Sequence, residues 1–187
     1  MEQPKPLLPM PIKAAPYRHQ IDAFNFVCGK FGLIPASGMA SSGAALLMEM
    51  GTGKTITSIA VAGALYQAGK IRRVLVVAPL SILGVWDEEF AKFADFDYNL
   101  AILEGSAAKK IDTLRHMSGS PLQVAVINYE SAWRLEKQLA AWNPDIIIAD
   151  EGHKIKTHNI AASKAMHRLG ARARYRLLLT GTVITNK

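Results

Sequence analysis

"MEMGTGKT", residues 48–55, is either a phosphate-binding loop or only a glycine-rich turn between a strand and a helix. A cradle for phosphates needs glycines so that the backbone can approach the anion. It also needs a lysine to meet the charge and a hydroxyl to help hold magnesium. Gly51, Gly53, Lys54 and Thr55 meet these demands, with Thr52 between the glycines. The fuller pattern G-x-x-x-x-G-K-[ST] wants a glycine where this chain has Met48. The same residues could also form a plain tight turn, so the surroundings must decide.

Those surroundings alternate. Short apolar runs appear at 44–49, 74–79, 98–103, 123–128, 145–150 and 175–180, without in/out polar alternation. Such runs suit parallel strands buried on both faces. Helical patterns lie between them, at 54–68, 80–94, 107–117, 130–141 and 159–170, and another covers 17–31. The expected fold class is α/β, a mainly parallel sheet with helices on both faces. The loop then sits between a strand ending near Glu49 and a helix starting near Lys54. Backbone N–H groups of residues 51–55 can converge on an anion there, and the helix adds about half a positive charge at that end.

A second segment, "DIIIADEGHKIK" (145–156), supplies acids. Ligands of open parallel sheets sit at the carboxyl ends of strands, which places Asp150 and Glu151 on the same edge as the loop. Asp150 would join Thr55 in holding magnesium, and Glu151 would act as general base on the attacking water. The plainer alternative is a solvated acid pair that caps the next helix or turn. His153 suits a coupling role better than direct chemistry.

Length and composition agree with one domain. The chain has 187 residues; half are hydrophobic and a fifth charged, a globular balance. No apolar run approaches the roughly 18 residues that cross a bilayer, so no membrane partner is expected. Cys28 is the only cysteine, which excludes an internal disulfide and a cysteine zinc site and points to a reducing, intracellular setting. The net charge of +7 favours a polyanionic partner. Residues 1–16 carry five prolines and form an extended arm, either a disordered tail or a strap, ahead of the 17–187 lobe.

Taken together, "MEMGTGKT" and "DEGHKIK" resemble motifs I and II of helicase superfamily two, most closely its Swi–Snf-type DNA translocases. "PYRHQIDAF" (16–24) is similar to the upstream glutamine motif, in which Gln20 would contact adenine. "VLVVAPLSILGVWDEEFAKF" (74–93) resembles motif Ia, with Pro79, Leu80 and Ser81 facing nucleic acid. "VAVINYESAW" (124–133) resembles the segment that touches the tracked strand, placing Tyr129 there. "LLLTGTVITNK" (177–187) resembles motif III, whose Thr180, Gly181 and Thr182 would couple the nucleotide site to nucleic acid.

The resemblance implies a three-layer RecA-like P-loop lobe that hydrolyses ATP with Mg2+ to move along duplex DNA through backbone contacts. It also implies a second RecA-like lobe, in cis or in trans, with an arginine finger. That lobe is absent, so the isolated chain is expected to be weak or inactive, a fragment or half of a split machine. Gly152 replaces a usual alanine, which should loosen the turn. Val183 replaces a usual proline and Met48 an acid; together they suggest a divergent branch, phage or bacterial. The setting would be cytoplasmic there, and nuclear in a eukaryote. Alternatives are an RNA helicase, a restriction-enzyme motor subunit, or a non-catalytic nucleic-acid-binding module.

The basic stretch 164–176 could meet phosphates but fits a solvated helix end better. Trp86 and Trp133 lie in helical patterns, where packing is the commoner role than base stacking.

Overall fold

The computed structural model describes residues 5–35, 38–49, 51–152 and 160–181. Its elements are α1 (Arg18–Lys30), β1 (Gly43–Leu47), α2 (Lys54–Gln67), β2 (Arg73–Ala78), α3 (Leu83–Phe93), β3 (Tyr98–Ile102), α4 (Ala107–His116), β4 (Leu122–Asn128), α5 (Tyr129–Arg134), α6 (Glu136–Trp142), β5 (Ile146–Ala149), α7 (Ile160–Arg172) and β6 (Tyr175–Thr180). A 3-10 turn, Leu80–Ile82, leads into α3. The one helix expected over 130–141 is two. Leu135 leaves helical geometry (φ −101°, ψ 21°) and drops into the core, which bends the chain so that Leu139 and Trp142 can follow it inward.

The six strands form one parallel sheet in the order β1-β6-β5-β2-β4-β3. From β1 to β3 the chain steps toward one edge; from β3 to β6 it steps back. Right-handed crossovers then put α2 and α3 on one face and α4 to α7 on the other. The core divides accordingly. Val74, Val76 and Ala78 of β2 pack with Phe24, Ile59, Trp86 and Phe90. Leu75 and Val77 pack with Leu114, Leu139, Trp142 and Leu169. Both faces of the central strands are therefore dry, which is why their sequences are apolar throughout.

The N-terminal arm takes the strap alternative over residues 5–16. Ile12 bridges Ala94 in antiparallel fashion. Lys13 N donates to Phe93 O at 2.8 Å, and Asp95 N donates to Pro11 O at 2.9 Å. The arm thus clasps the end of α3. Pro11 also reaches α2, where a side chain on Gly63 would run into it and Phe96.

Candidate nucleotide site

The loop after β1 and the turn after β5 leave the same edge of the sheet, because every strand is parallel. Only β6 separates β1 from β5, so the two starting points are about 10 Å apart across two strand spacings.

Two glycines give the loop its shape. Gly51 (φ 78°) and Gly53 (φ 90°) both adopt left-handed backbone, which other residues enter only with strain. A Cβ on Gly53 would also strike the Gln20 amide and lie 2.9 Å from Ile56 Cγ2. Gly53 is the N-cap of α2, so the helix begins at Lys54. The loop is closed on itself. Lys54 Nζ donates to Met48 O at 3.0 Å, and Thr52 Oγ1 donates to Glu49 O at 2.6 Å.

Gln20 is buried and uses both ends of its amide on protein. Its Oε1 accepts from Tyr17 N at 3.0 Å, and its Nε2 donates to Thr52 O at 3.3 Å. His19 Nε2 bonds the same Thr52 carbonyl at 2.7 Å, and its ring stacks on Tyr17. The start of α1 therefore supports the loop from behind. Sequence reasoning missed His19, which carries no motif signal of its own.

The acid turn is built differently. Asp150 is 6% exposed. Its N–H donates to Val77 O at 2.8 Å. Its Oδ1 accepts from Glu151 N at 2.8 Å, and its Oδ2 from Trp86 Nε1 at 3.1 Å. Its carbonyl accepts from the Tyr129 hydroxyl at 2.6 Å. Burial raises the Asp150 pKa, and the Glu151 charge adds to this; the Trp86 bond, the Glu151 amide and Lys54 oppose it. Burial likewise pushes the Tyr129 hydroxyl up, aided by Asp150 and Glu151. Glu151 holds a left-handed φ of 53°. Gly152 follows Glu151 with its Cα packed against β6. A Cβ there would meet the Leu178 side chain, its Cγ at 2.9 Å, so Leu178 occupies the space an alanine methyl would need.

A buried carboxylate whose ionised form is penalised by desolvation suits a cation. One carboxylate, the Thr55 hydroxyl and substrate phosphates are a Mg2+ donor set. Among the described residues no three His, Cys, Asp or Glu gather into a metal-binding group. Asp150 and Thr55 are the residues that could hold Mg2+.

The remaining expected positions divide. Leu80 and Ser81 are exposed and Pro79 half-buried, on the turn after β2 at the same edge. Tyr129 is 5% exposed with its hydroxyl bound inside, so its ring packs in the core rather than facing a nucleic-acid strand. Thr180 pairs with Leu47, and Met48 N donates to Thr180 O at 3.3 Å, which ties β6 to the start of the loop; Gly181 follows. His153, Thr182 and Val183 lie outside the described residues.

The basic stretch is engaged internally at several points. Arg168 grips Glu136 at 2.6 and 2.7 Å, and Arg176 reaches Ser42 Oγ at 2.6 Å. A cavity of about 300 Å³ lined by Arg73, Leu114, Arg115 and Trp142 lies at the opposite edge of the sheet.

A parallel α/β lobe with a left-handed glycine loop, a lysine and a buried acid on one rim defines a P-loop nucleotide-binding class. The chain belongs to the SNF2-related domain family, which matches residues 19–187. It is 34% identical over 139 residues to a probable ATP-dependent DNA helicase of Arabidopsis thaliana, covering 74% of this chain and 13% of that protein. It is also 34% identical over 140 residues to an ISWI chromatin-remodeling complex ATPase of Saccharomyces cerevisiae, covering 74% of this chain and 12% of that protein. Among solved structures, a Sulfolobus solfataricus SWI2/SNF2 ATPase core in complex with dsDNA superposes with a TM-score of 0.76 at 29% identity. That match covers 98% of this chain and 35% of the other. This chain therefore spans a small part of its relatives' length. None of these relatives supports a phage or bacterial origin.

Proposed function

We propose that this chain is the ATP-binding lobe of a DNA-dependent translocase. The observation that carries the reading is the shared rim, where the glycine loop after β1 and the acid turn after β5 leave the same edge of the parallel sheet. On nucleotide binding, Lys54 Nζ leaves the Met48 carbonyl for the β- and γ-phosphates. The N–H groups of residues 51–55, Thr52 among them, cradle the phosphates, and Gln20 fixes the adenine end. Thr55 and Asp150 would hold Mg2+, which would supply neutralisation of charge on the transferring phosphate. Glu151 orients the attacking water and accepts its proton. Pro79, Leu80 and Ser81 grip the DNA backbone, which positions without reading sequence. Thr180, Gly181, Thr182 and His153 couple the two sites. A second RecA-like lobe supplies the arginine finger and the closing motion. Such a protein works in the nucleus of a eukaryote or the cytoplasm of a prokaryote.

The experiment compares thermal stability with and without Mg2+-ATP. A ligand that binds only the folded state stabilises it by RT ln(1 + [L]/Kd). The parent chain is expected to gain stability, and Lys54→Ala to gain none. Equal shifts in the two proteins defeat the proposal. A second reading, a nucleic-acid-binding module without nucleotide chemistry, is favoured by the loop's closure on its own carbonyl. It wins if the parent binds DNA and ignores ATP. Stimulation by duplex DNA rather than RNA separates the translocase from an RNA helicase.

A further inference from the structure

Trp86 is 1% exposed, and a buried indole N–H needs an acceptor. A backbone carbonyl would serve. Trp142 uses one, donating to Met117 O at 2.8 Å. Trp86 instead donates to the carboxylate of Asp150, the residue proposed above to hold the metal. Tyr129 holds the backbone of the same residue, its hydroxyl donating to the Asp150 carbonyl at 2.6 Å. The two donors arrive from opposite sides. Trp86 lies on the first turns of α3, which continues directly from the Pro79–Leu80–Ser81 turn. Tyr129 opens α5 at the end of β4. Both segments are those that resemble nucleic-acid-facing motifs, and β2 separates β4 from β5.

We infer that Trp86 and Tyr129 are positioning residues that aim Asp150 at the metal, and that through them the DNA-facing turn at 79–81 acts on the metal site. The inference rests on the nucleotide and DNA assignments of the proposed function. A carboxylate has about four lone-pair sites. The indole and the Glu151 amide take one on each oxygen, which fixes the plane of the group and leaves the others for a cation. A shift of α3 under load at Ser81 would rotate that plane. A merely structural tryptophan would affect stability alone. Partners that orient a metal ligand affect metal affinity, by about 10–100-fold when removed.

The test uses the whole chain as parent, Trp86→Phe, Tyr129→Phe, and Trp142→Phe as the matched control, since Trp142 is also a buried donor. Folding is checked by circular dichroism. Affinity for a fluorescent ATP analogue is measured in EDTA, in Mg2+, and in Mg2+ with a short DNA duplex. In EDTA all four proteins are expected to bind alike. Mg2+ should strengthen binding less in Trp86→Phe, by about tenfold, and by a smaller factor in Tyr129→Phe, with Trp142→Phe unchanged. DNA should alter Mg2+-nucleotide affinity in the parent, and by reciprocity metal-nucleotide should alter DNA affinity. Trp86→Phe should lose that linkage. Should Trp86→Phe fail to fold, Tyr129→Phe, which lacks one hydroxyl, carries the same comparison.

Unchanged Mg2+ enhancement in both variants overturns the positioning role. Equal loss in Trp142→Phe does the same. A parent whose Mg2+-nucleotide affinity ignores DNA overturns the coupling. A parent that binds no nucleotide in any condition brings down the proposed function instead.

Discussion

The phosphate loop and the acid turn share a rim but are held in opposite ways. The loop is partly exposed. Its shape rests on two left-handed glycines and on contacts that phosphate oxygens can replace, Lys54 on Met48 O and Thr52 on Glu49 O. The acid turn is buried, and hydrogen bonds from Trp86, Glu151 and Tyr129 fix its oxygens. The loop is therefore the half that rearranges. Nucleotide binding exchanges internal partners for phosphate oxygens in the loop, where water can help. The acid is preformed, because a buried carboxylate that had to reorganise would be left unpaired at a cost of about 1–3 kcal/mol per lost bond.

The largest effect on this contrast should come from Gly53→Ala. The new methyl meets Gln20 and Ile56 while the backbone stays left-handed. The expected loss is about 2–3 kcal/mol, measured by urea denaturation, together with loss of nucleotide binding. Wild-type stability would show that the loop has slack. Next is Gly152→Ala on the acid side, expected to cost about 1–2 kcal/mol through contact with Leu178. Leu178→Ala in the same chain should recover part of that, as a positive coupling in a double-mutant cycle. Strict additivity would separate the two positions. Thr52→Ala should cost no more than about 0.5 kcal/mol, because the exposed Glu49 carbonyl can take water instead. A loss as large as that of Gly152→Ala would erase the distinction between the halves.

The smallest effect near neutral pH is at Cys28. It lies on α1, the helix that presses Gln20 against the loop, and burial pushes its thiol up to about 12. A raised folded value means that the stability from the neutral thiol is fully present below the ordinary thiol pKa. It is lost as pH rises through about 12. Alkylation by iodoacetamide in mildly alkaline buffer should therefore follow unfolding of the chain. Rapid labelling of the native protein would show that α1 opens on its own.

Much of this fold was legible because burial on both sides writes itself into composition. Val74–Val77 and Ile146–Ile148 could not be surface strands. The rule that ligands sit at carboxyl ends then brought residues 51–55 and 150–151 to one edge without any knowledge of strand order. The order itself was not legible, since apolar runs do not say which neighbours they choose. Periodicity marked Trp86 and Tyr129 poorly for a related reason. It reports that a side chain is buried and says nothing of where its one polar atom points. The break at Leu135 was hidden because its neighbours keep a helical rhythm on both sides. Gly152 looked like slack, and only the proximity of Leu178 shows that the space is filled.

The proline strap has a consequence for anyone trimming the gene. Pro11 and Lys13 latch the far end of the helix that carries Trp86, so the N-terminal segment behaves as a brace on a lever whose other arm ends at Asp150. Deleting it for convenience would remove no motif, yet it would unpin the bar that keeps that carboxylate in aim.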